Sequence, residues 1–339
     1  MFIHVKQLQF NARVSEPDPR FAKLLLEQFG GGNGELKAAM QYFVQAYAAR
    51  KPYPDKYDLL MDIATEELSH LEIVGATITM LLKGVNGELK NAVDVSGLPS
   101  LAEGGGAFRD GLIHEALSMP HFATLSGGGP LLEDSQGNPW SGAYVNANGD
   151  LTVDLRSNIA AESRAKIVYE YLLKFTDDPY VRQTLQFLMT REITHFRQFE
   201  AALETIQPNY PPGILQGDPR HAAMAFNMSQ GEDARGPWNE GANAPFGRDW
   251  LYVSDPVASV GETEGETRLD GEDDADISDV EKQLSEQRSG EVSAAQGEAG
   301  DPWTSYADMP QPMSWDPDDG SSRGGKGSAK KRGAASRHH

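Results

Sequence analysis

Two strings in the chain set a carboxylate three residues before an imidazole: Glu67-Leu68-Ser69-His70 and Glu192-Ile193-Thr194-His195. On a helix, residues three apart lie about 60° apart around the axis, so the Glu and His of each string share a face. In both cases that face is apolar. Leu60, Ile63, Val74 and Ile78 extend the first stripe, and Val181, Leu185, Leu188 and Phe199 extend the second. A buried, unpaired carboxylate costs several kcal/mol, and no set of Lys or Arg on these stripes neutralises the acids. The chain has no cysteine, which excludes disulfides, thiolate metal sites and iron–sulfur clusters. A metal held by oxygen and imidazole is the chemistry these residue types offer, while a hydrogen-bonded core histidine is the bland alternative for either His taken singly.

The elements that must carry these groups are helices. Asp178-Pro179 is a helix start with Pro in the first turn, and a helix is expected from there to Glu204. Another is expected from Pro54-Asp55 to Lys83-Gly84, and a third from about Arg156 to Lys174. Residues 19–50 carry Phe21, Leu24, Leu25, Leu36, Ala39, Met40, Phe43, Val44 and Tyr47 at helical spacing, broken by the Gly30–Gly34 cluster, so one helix or two fit. Residues 85–154 are rich in Gly, Asn, Ser and Pro and are expected to form a long crossover with loops and small hairpins.

Two helices, a crossover and two more helices are the connectivity of a ferritin-like four-helix bundle with an all-α core, expected over residues 1–205. Glu35 stands on the helix before Glu67-x-x-His70, and Glu162 on the helix before Glu192-x-x-His195. Both halves thus repeat Glu followed by Glu-x-x-His, the donor scheme of dinuclear carboxylate bundles. Three carboxylates and a bridging oxide or hydroxide nearly balance two divalent ions.

With Phe29-Gly30-Gly31 before Glu35, with Thr65-Glu66-Glu67-Leu68-Ser69-His70 and with Arg191-Glu192-Ile193-Thr194-His195-Phe196, residues 1–254 resemble the manganese catalases. The resemblance implies two manganese ions, cycling between Mn2+ and Mn3+ under a bridging oxide or hydroxide, held by Glu35, Glu67, His70, Glu162 and His195. It implies Glu192 as the acid/base residue just outside those ligands, hydrogen peroxide as substrate and a homohexamer as the assembly. A relative carries Arg immediately before the third-helix Glu; Ala161 stands there in this chain, so hydrogen bonding on that side of the site is expected to differ. Tyr42, seven residues after Glu35 and on the same face, either donates a hydrogen bond to the site or packs in the core. The donors alone also accept iron, so a di-iron oxidase or oxygenase on the same bundle is the nearest alternative, and a metal-storage or structural protein is another.

Asp58 and Asp62 repel each other one helical turn apart unless a cation bridges them; two solvated carboxylates are the alternative. Asn227-Met228-Ser229-Gln230-Gly231 resembles the family's calcium segment, which implies Asn227, Ser229 and Gly231 as further calcium ligands. Residues 206–254 read as an extension packed on the bundle or on a neighbouring subunit.

The 50 acidic and 30 basic residues divide into net charges of -10 over residues 1–254, -16 over 255–320 and +6 over 321–339. A body this acidic repels phosphate backbones and anionic lipid, so neither nucleic acid nor membrane is an expected partner. Residues 255–339 have too few apolar side chains to offset their ordering entropy and are expected to be a disordered tail. No signal-peptide pattern opens the sequence and no 18-residue apolar run occurs, so a soluble cytoplasmic protein is expected.

Overall fold

A computed structural model describes residues 3–83, 126–206, 217–229 and 234–263. All of these belong to one of the chain's two units, Met1–Ala295; the second, Gln296–His339, lies outside the described residues.

Three of the five long helices begin where an Asp side chain satisfies free N–H groups. In α1 (Pro19–Gly30) the Asp18 carboxylate accepts from Phe21 N, and in α5 (Pro179–Glu204) Asp178 accepts from Tyr180 N and Val181 N. Between them lie α2 (Glu35–Ala49), α3 (Pro54–Leu81) and α4 (Leu151–Leu172). The first arm of the bundle is therefore two helices, α1 and α2, and the break needs glycine. A Cβ on Gly34 would stand 2.6 Å from the Gln28 carbonyl oxygen, and one on Gly30 would stand 2.6 Å from the Glu133 backbone of the crossover.

α4 starts at Leu151, five residues earlier than the Arg156 expected, so the crossover ends at Asp150 rather than at residue 154. The Asp150 side chain caps Thr152 N and Val153 N, while Asp154 accepts from Asn148 N and Gly149 N. These caps carry the first turn of a helix in residues expected to belong to the crossover. Of the crossover's small hairpins, the described part holds one isolated antiparallel bridge, Glu133 with Pro139; residues 84–125 lie outside the described residues.

α2 also corrects its expected inward face. It buries Ala38, Ala39, Tyr42, Ala46 and Ala49 together with Glu35, Lys37, Gln41 and Gln45, and leaves Val44 46% and Tyr47 58% exposed. α2 packs against both α3 and α4, and alanines let the three backbones approach closely. Val44 and Tyr47 turn outward, while Phe43 of the same stripe packs against the core.

The core is two apolar clusters. One gathers Phe21, Leu25 and Leu26 of α1 with Ile73, Val74, Ile78, Tyr169, Leu172, Val181, Leu185 and Leu188. The other gathers Tyr42, Ala46, Leu60, Ile63, Ala64, Leu155, Phe199 and Ala202. Along α3, α4 and α5 the gap between the clusters falls at Glu67–His70, at Glu162 and at Glu192–His195.

Beyond α5 the chain makes α6 (Pro219–Ala222) and a parallel pair of short strands, β1 (Met224–Phe226) and β2 (Leu251–Val253), with Ala225 opposite Tyr252. Residues 255–263, expected to be disordered, hold α7 (Pro256–Gly261), capped by Asp255 through Ala258 N. The rest of the expected disordered tail, 264–339, lies outside the described residues.

Candidate metal centre

α3 delivers Glu67 and His70, α5 delivers Glu192 and His195, and one ligand atom from each lies within 4.8 Å of all the others. α2 adds Glu35 at its first residue and α4 adds Glu162; all six side chains are buried. Glu67 is central. Its Oε2 lies 3.1 Å from His70 Nδ1 and its Oε1 lies 2.6 Å from His195 Nδ1. Glu35 Oε2 approaches the same His70 nitrogen at 3.6 Å, and Glu162 Oε2 approaches the same His195 nitrogen at 3.9 Å. Two sets of donors, Glu35–Glu67–His70 and Glu162–Glu67–His195, therefore share one carboxylate. Glu192 Oε1 stands 3.6 Å from His70 Nδ1.

The imidazoles are aimed from behind. They stack with centroids 5.5 Å apart, and Glu66 lies behind both: its Oε2 is 3.0 Å from His195 Nε2 and its Oε1 is 3.6 Å from His70 Nε2. Arg191 donates to Glu66 through Nε at 2.6 Å and Nη2 at 3.1 Å, and Gln9 of the N-terminal segment donates at 2.8 Å. An ionised Glu66 accepting from His195 Nε2–H leaves the Nδ1 lone pair of that ring facing the centre, and its charge, 3.6 Å from His70 Nε2, favours the same tautomer there. Two tyrosines hold the outer carboxylates: Tyr42 donates to Glu162, and Tyr169 donates to Glu35.

Electrostatics report a site that needs positive charge. Burial, reinforced by the charge of Glu67, pushes the Glu35 carboxyl up to about 7 and that of Glu162 up to about 8. Burial and the surrounding Glu35, Glu67 and Glu162 charges push Glu192 well above the usual carboxylate range. Burial also opposes ionisation of Glu67, but His70 and His195 outweigh it and hold that carboxyl well below the usual range. Burial opposes protonation of His195, yet Glu67 and Glu66 raise it to about 10, and Glu67 with Glu35 and Glu66 raises His70 likewise. Protons stand where cations would. Both Glu192 oxygens and Glu162 Oε2 are buried without hydrogen-bond partners, so the donors present fit a pair of divalent ions.

Residues 1–284 match the family model for manganese-containing catalases. The chain belongs to the manganese catalase family. A manganese catalase of Bacillus subtilis is 36% identical over 266 residues, covering 75% of this chain and 91% of the relative. A probable manganese catalase of Clostridium acetobutylicum is 41% identical over 209 residues, 61% of this chain and 81% of the relative. The crystal structure of KatB, a manganese catalase from Anabaena, superposes with a TM-score of 0.60 at 39% identity, covering 76% of this chain and all of that one.

Within this family member the structure brings together Glu35, Glu67, His70, Glu162, Glu192, His195 and Tyr42, all singled out in the sequence. Tyr42 reaches Glu162, not the Glu35 of its own helix. Asp58 and Asp62 are exposed on α3 and are not part of the cation-capable grouping found among the described residues. Asn227 and Ser229 follow β1, where the Asn227 side chain accepts from Ser229 N; Gly231 lies outside the described residues. Sequence reasoning missed Glu66, Arg191 and Gln9 as the support of the imidazoles, and Tyr169. For Tyr169 a signal existed: it follows Glu162 by the seven residues that separate Tyr42 from Glu35.

Proposed function

We propose that the chain converts hydrogen peroxide to O2 and water at two manganese ions held by Glu35, Glu67, His70, Glu162 and His195, with Glu192 carrying protons. The observation behind this reading is Glu67, whose two oxygens each face the Nδ1 of a different histidine. A bound manganese pair supplies the two-electron redox chemistry by which one peroxide is oxidised and the next reduced. Glu35, Glu67 and His70 would hold one ion, and Glu67, Glu162 and His195 the other. Glu192 is suited to moving the peroxide proton. Neither of its oxygens is engaged, and burial keeps the carboxyl protonated at a pH where an exposed Glu is ionised. The apolar clusters on either side keep bulk water from competing for that proton.

Manganese is the family's metal; the donor types alone would admit iron. The test is metal content per chain of protein grown with both metals available, together with O2 evolution from peroxide. Two manganese ions per chain and rapid O2 release are expected. Iron in their place, or no O2 release from manganese-loaded protein, would overturn the reading.

Calcium at Asp58, Asp62, Asn227, Ser229 and Gly231 rests on the family resemblance, and calcium content measured in the same experiment tests it. A homohexamer rests on the family resemblance; the apolar side chains that α2 turns outward, Val44 and Tyr47, favour subunit association, and light scattering tests the number. No helix among the described residues is long and apolar enough to cross a membrane, in keeping with a cytoplasmic location.

A further inference from the structure

Residues 3–18, ahead of α1, form neither helix nor strand, yet residues 8–15 alternate apolar with polar side chains in the way of extended chain with one buried face. Leu8, Phe10, Ala12 and Val14 pack into the apolar cluster that holds α1. Polar side chains tie the segment to two helices. Gln9 donates to Glu66 Oε1 of α3 at 2.8 Å, and His4 Nε2 lies 2.9 Å from Glu72 of the same helix. On α5, Arg13 donates to Gln183 at 3.3 Å and stands 4.4 Å from the Tyr180 ring centroid, while Ser15 donates to Asp178 through N at 2.7 Å and Oγ at 3.1 Å. The segment is a strap across α3 and α5, the helices that carry both histidines.

Two of its residues reach the metal centre through one neighbour each, and both lines end on His70. Gln9 holds the Glu66 oxygen that faces His70 Nε2 at 3.6 Å, whereas His195 is met by the other oxygen. Phe10 stacks on Phe187 of α5 with centroids 4.7 Å apart and planes 18° apart, and Phe187 stands edge-on to His70 at 6.5 Å and 85°. Glu66 is also where these groups meet the surface: its side chain is 20% exposed, against 0% for His70, Glu67 and Glu192.

We propose that Gln9 and Phe10 are positioning residues for His70, and that the strap carrying them retains the ion of the Glu35–Glu67–His70 set. With the strap in place, the Gln9 amide keeps water off the exposed edge of Glu66 and keeps Oε1 turned to His70 Nε2, and the Phe10 ring holds Phe187 against the imidazole edge. With it displaced, His70 loses both restraints, while His195 keeps its 3.0 Å contact to Glu66 Oε2, an oxygen that Arg191 also holds. Groups behind a metal-binding imidazole fix its orientation, and their loss weakens metal binding. The inference rests on the reading of His70 as a manganese ligand.

Manganese release tests this, read as free Mn2+ by electron paramagnetic resonance after a chelator is added to the full-length, manganese-loaded protein. Gln9→Met and Phe10→Leu should each lose their first ion about tenfold faster than wild type, with the second leaving at the wild-type rate. Gln9 is exposed, so its variants fold; should Phe10→Leu fail to fold, the Gln9 series decides. Gln9→Lys returns a donor to Glu66 and should restore slow release, a rescue that a side chain merely filling space would not show. Gln9→Glu sets a second carboxylate against Glu66 and should release the ion fastest of the Gln9 variants. Equal acceleration of both ions, no acceleration, or Gln9→Lys as leaky as Gln9→Met overturns the proposal. Wild-type protein that binds no manganese pair ends the reading of the centre and this inference with it. Wild-type protein with two ions whose release the Gln9 and Phe10 variants leave unchanged ends the strap's role alone.

Discussion

Tyr169 on α4 donates its phenolic hydrogen to Glu35 on α2, while Tyr42 on α2 donates to Glu162 on α4. The contacts cross, so each of these helices holds the other's carboxylate. Removing either hydroxyl frees a carboxylate oxygen that then rotates away from its set of donors. Tyr169→Phe and Tyr42→Phe should each lower manganese affinity or catalase activity by about 10–100-fold. The rings still fill the core, so thermal unfolding should shift by only a few degrees. A Tyr169→Phe variant with wild-type manganese affinity and turnover would refute this.

Glu66 aims two imidazoles at once, so Glu66→Ala should loosen both metal positions together. Manganese titration is expected to show affinity lower by about 10–100-fold, with both ions affected. Arg191→Met should act in the same direction but more weakly, because Glu66 keeps its contacts to both histidines and to Gln9. Loss of one ion with full retention of the other would show that Glu66 serves a single histidine.

Glu192→Gln removes a titrating group while leaving five donors in place. Metal content should stay at the wild-type level while O2 evolution drops by about 10²–10⁴-fold, the range over which positioned acid/base groups act. A variant that loses metal in proportion to activity would make Glu192 a ligand instead.

The metal-free protein should become less stable as pH rises. Glu35 and Glu162 have folded-state values of about 7 and 8 against an ordinary 4.5, so their contribution is fully present below about 4.5 and is lost as pH climbs through 7 and 8. His195, raised to about 10 from 6.5, adds loss in the same direction at higher pH. Calorimetry of chelator-treated protein should show Tm falling by about 5 °C or more between pH 5.5 and 8.5. Manganese affinity should rise over the same window, because binding displaces those protons. A metal-free Tm that rises across that window would contradict the charge arrangement described for the site.

What was legible in the chain was whatever acts along a single helix. Pro54 and Asp178-Pro179 mark helix starts because capping and a fixed φ are local effects, and both starts are found there. Leu151 was not, because its first turn is tied to the crossover by the Asp154 carboxylate reaching back to Asn148 and Gly149. The outward turn of Val44 and Tyr47 was hidden for another reason. Periodicity places a stripe on a helix but does not say whether α3, α4 or another subunit covers it.

The same division runs through the site. Glu and His three residues apart, with Glu35 or Glu162 on the helix before, were enough to specify oxygen and imidazole donors on the inner faces of the helices, because helical spacing puts them there in any bundle. Packing between helices decided the rest: that Glu67 lies between two Nδ1 atoms, that Glu66, about 100° around α3 from Glu67, backs both rings, and that the tyrosines exchange partners. Glu66 and His195 are separated by 129 positions, and no local period carries a distance of that kind. It exists once apolar clusters have closed on either side and left the acids, the imidazoles and their supports one place to meet.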